Sequence, residues 1–359
     1  MWGRSLGAYA PRSGLAQYHT APPCLGLNRQ CPRLGLHYQR ISRTPDFAIA
    51  LGDVVAEAFR ILRESLVMTE MTPDDLDTVA KWHFAVGGLK TQSDLIELAA
   101  AVRLERLRTF PTRTELTSHL NSPLVAGLMQ HYGEDVVQHE LVIDAAETDD
   151  PQFIPRLAGL ILAGLRIRTG AEILCPAVCD RSWSDLRRAA PNSCLAYRVE
   201  PAMYAHKFEG LTVVTADDLG WVRDNLKDLL ALEDELRFRT ALEALCTYLH
   251  AANYRMMAAQ LWAGIEALFD VTYEISFRLP LLAALLLEKR GPACRDRRTE
   301  IHELYKQRSK AVHGGKISED ELKDHVSKTR QLLAQLLSNI VTRGSLPTAD
   351  EFTDLTVMP

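Results

Sequence analysis

The stretch Tyr305-Lys-Gln-Arg-Ser-Lys-Ala-Val-His-Gly-Gly315 decides the interpretation of the C-terminal third of this chain. Apolar residues repeat at helical spacing up to this point, which predicts a helix over Arg297–Val312. Its predicted buried stripe consists of Ile301, Leu304, Tyr305, Arg308 and Val312. Because a guanidinium on such a stripe is costly unless it is paired or lines a cleft, Arg308 is the first candidate functional residue.

His313 follows Arg308 by five residues and directly precedes two glycines, which are typical of a helix end. The negative end of the helix dipole favours the protonated imidazole. A histidine transfers protons and an arginine stabilises charge on a phosphorane, so the pair suits phosphodiester cleavage. The bare spacing is a weak signal, because Arg297 and His302 repeat it at the start of the same helix without glycines behind them.

The region 231–343 shows a helical pattern throughout. The predicted helices are Asp234–Ala252, Arg255–Phe269, Phe277–Glu288, Arg297–Val312 and Glu319–Val341. Ser318 and Glu321 form a capping box before the last helix. Short connections imply antiparallel neighbours, so we predict an antiparallel helical bundle.

This bundle resembles a HEPN domain and is most similar to the Apea-like group. The residues that carry the resemblance are the stretch 305–315, Leu261-Trp-Ala-Gly-Ile-Glu-Ala-Leu-Phe269 and Ile275-Ser-Phe-Arg-Leu-Pro-Leu-Leu-Ala-Ala-Leu-Leu-Leu-Glu288. The expected fold class is therefore α-rich, with a HEPN-like C-terminal bundle preceded by an α+β or mostly helical domain.

The resemblance implies a metal-independent endoribonuclease, a hydrolase that needs no cofactor. In its reaction the ribose 2′-hydroxyl of the RNA attacks the adjacent phosphate. Arg308 and His313 match the family's catalytic pair, and Glu266 matches an acidic position that orients the arginine. Ser309 departs from the Asn, Asp or His that often follows the arginine. Tyr305 is a further supporting residue. HEPN ribonucleases usually act as homodimers in which both motifs meet at one cleft.

RNA is the expected partner, with Lys306, Lys310 and Lys316 as its expected contacts. Many HEPN proteins act in prokaryotic antiviral defence or toxin–antitoxin pairs, which predicts an antitoxin or a sensor as a second partner. The alternative is a non-catalytic interaction or assembly module. In that case Arg308 would be closed in an ion pair with Glu266, and His313 would simply cap the helix.

The region 46–230 mixes element types and is predicted to be an N-terminal domain. Predicted helices are Phe47–Val67, a helix begun by Thr72 and Pro73, Ser93–Leu107, Pro155–Arg168 and Asp217–Leu230. Predicted strands are Ala171–Val178, Leu195–Val199 and Leu211–Thr215.

Residues 1–45 have a different composition from the rest. The first 44 residues hold six arginines and no acidic residue, with Gly and Pro throughout, which favours a disordered basic tail. A targeting peptide, an RNA-contacting arm and upstream sequence from a misplaced start codon are the other interpretations. A flexible C-terminal tail is expected over 344–359.

Composition limits the other possibilities. The 359 residues are 47% hydrophobic and carry a net charge of -5, so RNA binding requires a local basic patch. Seven scattered cysteines fit a reducing cytoplasm, and no apolar run reaches membrane-spanning length. Cys175, Cys179, Cys194 and His206 form a weak zinc alternative, since a tight second ligand pair is missing. Buried cysteines are the preferred interpretation, and no metal is expected.

Overall fold

The computed structural model describes residues 71–352 apart from 73–74, 76–77, 148–150, 204–209, 270, 272, 313 and 349. The predicted tail 1–45 and the predicted helix Phe47–Val67 lie outside the described residues. So do Pro73, His206, His313 and the last seven residues of the predicted C-terminal tail.

Eight short strands are found in the described residues. They are β1 Lys81–Gly87, β2 Leu89–Thr91, β3 Leu95–Ala99, β4 Val102–Arg106, β5 Val137–Asp144, β6 Ala177–Cys179, β7 Ala196–Arg198 and β8 Thr212–Val214. Six of them form an antiparallel sheet in the order β3-β4-β5-β1-β6-β7. Strands β2 and β8 form a separate parallel pair.

Strands β1 and β5 lie at the centre of this sheet and are buried on both faces. Trp82 and Phe84 of β1 pack into one hydrophobic cluster, whereas Ala85 packs into the other. The strand β5 buries His139 and Glu140 among its apolar residues. Glu140 accepts hydrogen bonds from Ser182 Oγ at 2.8 Å and Trp183 N at 3.1 Å, which satisfies its buried carboxylate.

Four helices precede the C-terminal bundle in the described residues. They are α1 Arg113–His119, α2 Pro123–Val136, α3 Ile154–Thr169 and α4 Ala216–Glu233. Helix α3 is apolar on nearly all sides and contributes to both hydrophobic clusters, as expected for a helix covered all round. Leu165 faces the cluster that contains the sheet residues Trp82 and Phe84, and Ile167 faces the cluster that contains the bundle.

The C-terminal bundle has five helices, as predicted. They are α5 Leu236–Thr247, α6 Tyr254–Phe269, α7 Ile275–Leu287, α8 Pro292–Val312 and α9 Glu319–Arg343. The predicted capping box is present, because Ser318 accepts from Glu321 N and Glu321 accepts from Ser318 N. Among the described residues, no helix combines the length and apolar character needed to cross a membrane.

The α-rich prediction is confirmed in its general form. The predicted helix over Ser93–Leu107 is wrong, because this segment forms the hairpin β3–β4. The predicted boundary at residue 230 lies inside α4, and one hydrophobic cluster includes residues on both sides of it. Within the predicted C-terminal tail, Leu346 and Phe352 are buried against the bundle.

Gly264 allows α6 to lie against α5. A Cβ at this position would be 2.7 Å from Ala244 Cβ and 3.3 Å from Ala241 Cα. We expect Gly264→Ala to lower the free energy of unfolding by about 1–3 kcal/mol, because this contact has no room for a methyl group. Urea unfolding followed by circular dichroism measures the change.

Gly159 is the matched control for Gly264. It is an exposed glycine of α3, and a Cβ there would meet nothing within 4 Å. Gly159→Ala should raise the free energy of unfolding by about 0.5–1 kcal/mol, because alanine restricts the unfolded chain and suits a helix. Equal effects of the two substitutions would contradict the proposed close packing at Gly264.

Candidate active site

Helix α8 places Arg308 at the edge of its buried face. The buried side chains of α8 are Cys294, Ile301, Leu304 and Ala311. Arg308 continues this face, and 20% of its side chain remains exposed. The prediction that Val312 belongs to the buried stripe is wrong: Val312 is exposed, because α8 ends there and its last buried contact is made by Ala311.

Glu266 of α6 pairs with Arg308. Arg308 Nη2 lies 3.0 Å from Glu266 Oε1 and 3.4 Å from Oε2. Burial raises the pKa of Glu266, and the positive charge of Arg308 opposes that rise. The Nε–H of Arg308 is buried and has no hydrogen-bond partner among the described residues.

Tyr305 lies beside the ion pair. Arg308 Cζ is 5.6 Å from the centre of the Tyr305 ring, within the range of a cation–π interaction. Burial raises the pKa of Tyr305, and the negative charge of Glu266 raises it further. The phenol therefore keeps its proton at neutral pH and remains a hydrogen-bond donor.

Behind Tyr305, a buried aromatic contact connects three helices. The Trp262 ring meets Tyr305 edge-on, with 5.2 Å between the ring centres. Trp262 Nε1 donates a hydrogen bond to His325 Nε2 of α9 at 3.1 Å, and both side chains are fully buried. Trp262 is therefore a residue of the core. The position of Tyr305, and through it Arg308, is thus supported by α6 and α9.

The two glycines after the motif close the end of α8. Gly314 has a φ of 74°, a conformation that other residues rarely adopt. Gly315 N donates to Lys310 O at 2.9 Å, and a Cβ on Gly315 would lie 3.1 Å from Lys310 Cα. The chain therefore turns back tightly on α8 at Gly314 and Gly315, whereas His313 itself lies outside the described residues.

Arg255, at the start of α6, donates hydrogen bonds to backbone carbonyls of the same turn. Its Nη1 donates to Ala311 O at 2.7 Å and to Lys310 O at 3.2 Å, and its Nη2 donates to Gly315 O at 3.0 Å. These carbonyls flank His313 in the sequence on both sides. Sequence reasoning missed Arg255, because a side chain that binds backbone carbonyls 55 to 60 residues away leaves no periodic signal.

Removing the guanidinium of Arg255 should loosen this turn. We expect Arg255→Met, which keeps the apolar stem, to speed hydrogen exchange of Gly315 N–H at least tenfold, about 1.4 kcal/mol of local stability. Exchange followed by NMR measures this. Arg223→Met is the control, since Arg223 is exposed and pairs with Asp224. An unchanged exchange rate at Gly315 in Arg255→Met would show that the hydrogen bonds of Arg255 do not stabilise this turn.

The remaining predicted residues are exposed, on α8 or just after it. Ser309, Lys310 and Lys316 are exposed. Lys306 is exposed and pairs with Glu303 at 2.7 Å. An exposed pair of this kind is weak, so it leaves Lys306 available to another anion.

The second Arg-x4-His pair does not form one site. Arg297 Nη1 lies 2.6 Å from Glu300 Oε2, and its Nη2 bonds to Gln335 of α9. His302 Nδ1 lies 3.1 Å from Ser276 O of α7. The two side chains therefore face different neighbouring helices.

The cysteines of the zinc alternative are buried and free. Cys175, Cys179 and Cys194 form no disulfide, and burial raises the pKa of Cys175 and Cys179 well above the ordinary thiol value. His206 lies outside the described residues. Within the described ranges, no group of three or more His, Cys, Asp or Glu side chains is placed to hold a metal ion.

Comparison with known proteins adds no relative. No protein-family model matches the chain, and neither a curated protein nor a solved structure matches it. The likeness to HEPN domains therefore remains a prediction from the motif residues.

Proposed function

We propose that this protein is a metal-independent endoribonuclease of the HEPN type, with Arg308 and His313 at its catalytic centre. The observation that carries the proposal is the placement of Arg308. Its guanidinium is held by Glu266 and Tyr305 at the edge of the core, still partly exposed, one turn before a tightly fastened helix end. A charged group fixed in this way needs little rearrangement to stabilise negative charge in a transition state.

The chemistry requires an acid, a base and a cation. The 2′-oxygen forms a bond to phosphorus while the P–O5′ bond breaks. The 2′-hydroxyl loses its proton to a base, and the leaving 5′-oxygen gains one from an acid. In our proposal His313 performs proton transfer and Arg308 binds the scissile phosphate, with Glu266, Tyr305 and Ser309 in support. A homodimer through the bundle would bring a second copy of each group to the cleft.

The charge of α8 supports an RNA substrate. The chain has a net charge of -5, yet α8 holds six basic and three acidic residues. Lys306 and Lys310 extend this local excess along α8, and Lys316 follows it. A local basic surface of this kind attracts a phosphate backbone despite the acidic whole.

The setting of this activity is part of the proposal. We propose a cytoplasmic effector of prokaryotic antiviral defence or of a toxin–antitoxin pair, with the region 46–230 as sensor or partner-binding part. The five described cysteines are free thiols, which fits a reducing compartment. An antitoxin or sensor protein would then control access to the bundle.

A second candidate is a non-catalytic interaction module. The 3.0 Å ion pair between Arg308 and Glu266 favours it, because an arginine neutralised by a neighbour serves structure as well as catalysis. The two candidates differ in what the purified protein does to RNA.

The decisive experiment incubates the purified full-length chain with a mixed RNA pool in EDTA. The ribonuclease proposal expects cleavage that EDTA leaves unchanged, with 2′,3′-cyclic phosphate and 5′-hydroxyl ends. Intact RNA across the pool, or cleavage that EDTA abolishes, would count against it and favour the interaction module.

A further inference from the structure

Two aromatic side chains at the start of α7 are exposed, which is unusual for rings of this size. Tyr273 is 65% exposed and Phe277 is 53% exposed. Each ring carries an arginine on one side: Arg278 Cζ lies 4.3 Å from the Tyr273 ring centre, and Arg298 Cζ lies 4.9 Å from that of Phe277. Neither ring belongs to a hydrophobic cluster of the core, so both remain accessible at the surface.

These residues are connected to α8. Arg298 belongs to α8, and His302, one turn further along, lies 3.1 Å through Nδ1 from Ser276 O of α7. We call the set Tyr273, Phe277, Arg278, Arg298 and His302 the aromatic strip. It combines two exposed rings, two arginines and a histidine around the start of α7, where α7 meets α8.

The aromatic strip leads toward the candidate active site. Arg298, His302, Tyr305 and Ser309 are three or four residues apart and therefore share one side of α8. At about 1.5 Å per residue, the path from Arg298 to Ser309 is roughly 16 Å long. That length suits about five stacked nucleotides at roughly 3.4 Å each.

We propose that the aromatic strip binds unpaired nucleotides of an RNA strand that enters the active site. The inference rests on the proposed function. Many proteins bind single-stranded nucleic acid with exposed aromatic rings next to arginines. The bases stack on the rings, and the cations attract the phosphates. A paired duplex hides its bases and gains little from these rings, so the strip selects single-stranded regions.

A strand that cannot be cleaved tests binding apart from catalysis. The probe is a fluorescein-labelled 2′-O-methyl oligouridylate decamer, whose blocked 2′-oxygen prevents the proposed reaction. We expect the double variant Tyr273→Ala/Phe277→Ala to bind it at least tenfold more weakly in fluorescence anisotropy. The ring-conserving variant Tyr273→Phe/Phe277→Tyr should bind as the wild type does.

The matched control removes two equally exposed apolar side chains elsewhere. Leu124 is 53% exposed on α2 and Leu236 is 62% exposed on α5. Leu124→Ala/Leu236→Ala should leave decamer binding unchanged. Equal loss in both double variants, or no loss in either, overturns the strip as a nucleotide-binding surface.

Light scattering of each variant distinguishes a nucleotide-binding surface from a contact between two copies of the chain, because it reports the mass of the particle. If the Tyr273→Ala/Phe277→Ala variant loses a dimer but binds the decamer normally, the strip is a contact between copies and the proposal fails. If the protein cleaves no RNA but its binding of the decamer depends on the two rings, the aromatic strip is a nucleotide-binding surface and the ribonuclease proposal is wrong.

Discussion

Arg308→Ala should lower the rate of RNA cleavage at least 10²-fold, and 10³-fold is expected if the guanidinium meets the transition-state charge directly. The substitution removes the cation that Glu266 of α6 and Tyr305 of α8 hold near the end of α8. Arg308→Lys should also be impaired, because an ammonium cannot reproduce the planar fork of the guanidinium. Initial rates on the RNA pool in EDTA, under single-turnover conditions, measure both effects.

His313→Ala belongs to the same experiment and should lower the rate about 10²–10⁴-fold, the usual contribution of general acid or base catalysis. The control is Arg297→Ala, which lies in the second Arg-x4-His pair and binds Glu300 and Gln335. Its rate should stay within twofold of the wild type. Comparable losses in Arg297→Ala and Arg308→Ala would place the catalytic centre elsewhere.

A loss of activity in Arg308→Ala could also come from a weakened fold, and the two causes must be separated. The substitution leaves the Glu266 carboxylate half-buried without its partner, which costs stability. The double variant Glu266→Gln/Arg308→Ala removes that unpaired charge. If catalysis requires Arg308, the double variant regains stability in thermal unfolding and stays inactive. Recovery of cleavage in the double variant would show that Arg308 serves the fold alone.

The helices of the bundle were predictable from sequence because their local signals agree. Apolar residues of α6 and α9 repeat at helical spacing, and the capping box at Ser318 marks where α9 begins. The five bundle helices lie within two residues of their predicted bounds, except at the end of α5 and the start of α8, which each differ by five residues. Helix α3 was predicted over Pro155–Arg168 and spans Ile154–Thr169, because its apolar residues continue over more positions than a strand of average length occupies.

The centre of the sheet was not predicted. Strand β1 is buried on both faces and so lacks the alternation that identifies a half-exposed strand. Strand β5 includes His139 and Glu140, which look like surface residues until Ser182 and Trp183 are seen to satisfy the carboxylate. The hairpin β3–β4 was mistaken for a helix, because Leu95, Leu98 and Val102 happen to fall at three- and four-residue intervals.

The contacts of the candidate site were also predicted only in part. Glu266 and Arg308 were paired correctly, because the resemblance to HEPN domains implies an acidic residue at position 266 that orients the motif arginine. Arg255 and the Trp262–His325 contact were missed. Each joins residues 55 or more positions apart through a backbone carbonyl or a ring nitrogen, and neither contact has a pattern within its own helix.

The stability of the protein should fall steeply as the pH drops from about 6.5 to 4, and His325 should cause much of that fall. Trp262 Nε1–H is a donor, so His325 Nε2 must accept and the buried imidazole must be neutral. Burial lowers the pKa of His325 to about 4. In the unfolded chain the pKa returns to about 6.5.

The sign of the effect follows from proton uptake. Above pH 6.5 both states hold a neutral His325, and its contribution to stability is complete. Between pH 6.5 and 4 the unfolded chain binds a proton that the native protein excludes, so native stability declines by up to about 3 kcal/mol. His139, whose pKa burial and the charge of Arg106 lower to about 4, should add a similar decline.

His325→Gln isolates this contribution, because an amide oxygen can still accept from Trp262 but does not titrate. The variant should be less stable than the wild type at pH 7.5, and urea unfolding at pH 4.5 should show that the difference has shrunk by about 2–3 kcal/mol. If the free energy of unfolding depends on pH in the same way in His325→Gln and in the wild type, His325 accepts a proton in the native state.

Protonation of His325 at Nε2 would break its hydrogen bond with Trp262. Tyr305 and Arg308 would then lose the support of α9 in acid before the fold itself is lost.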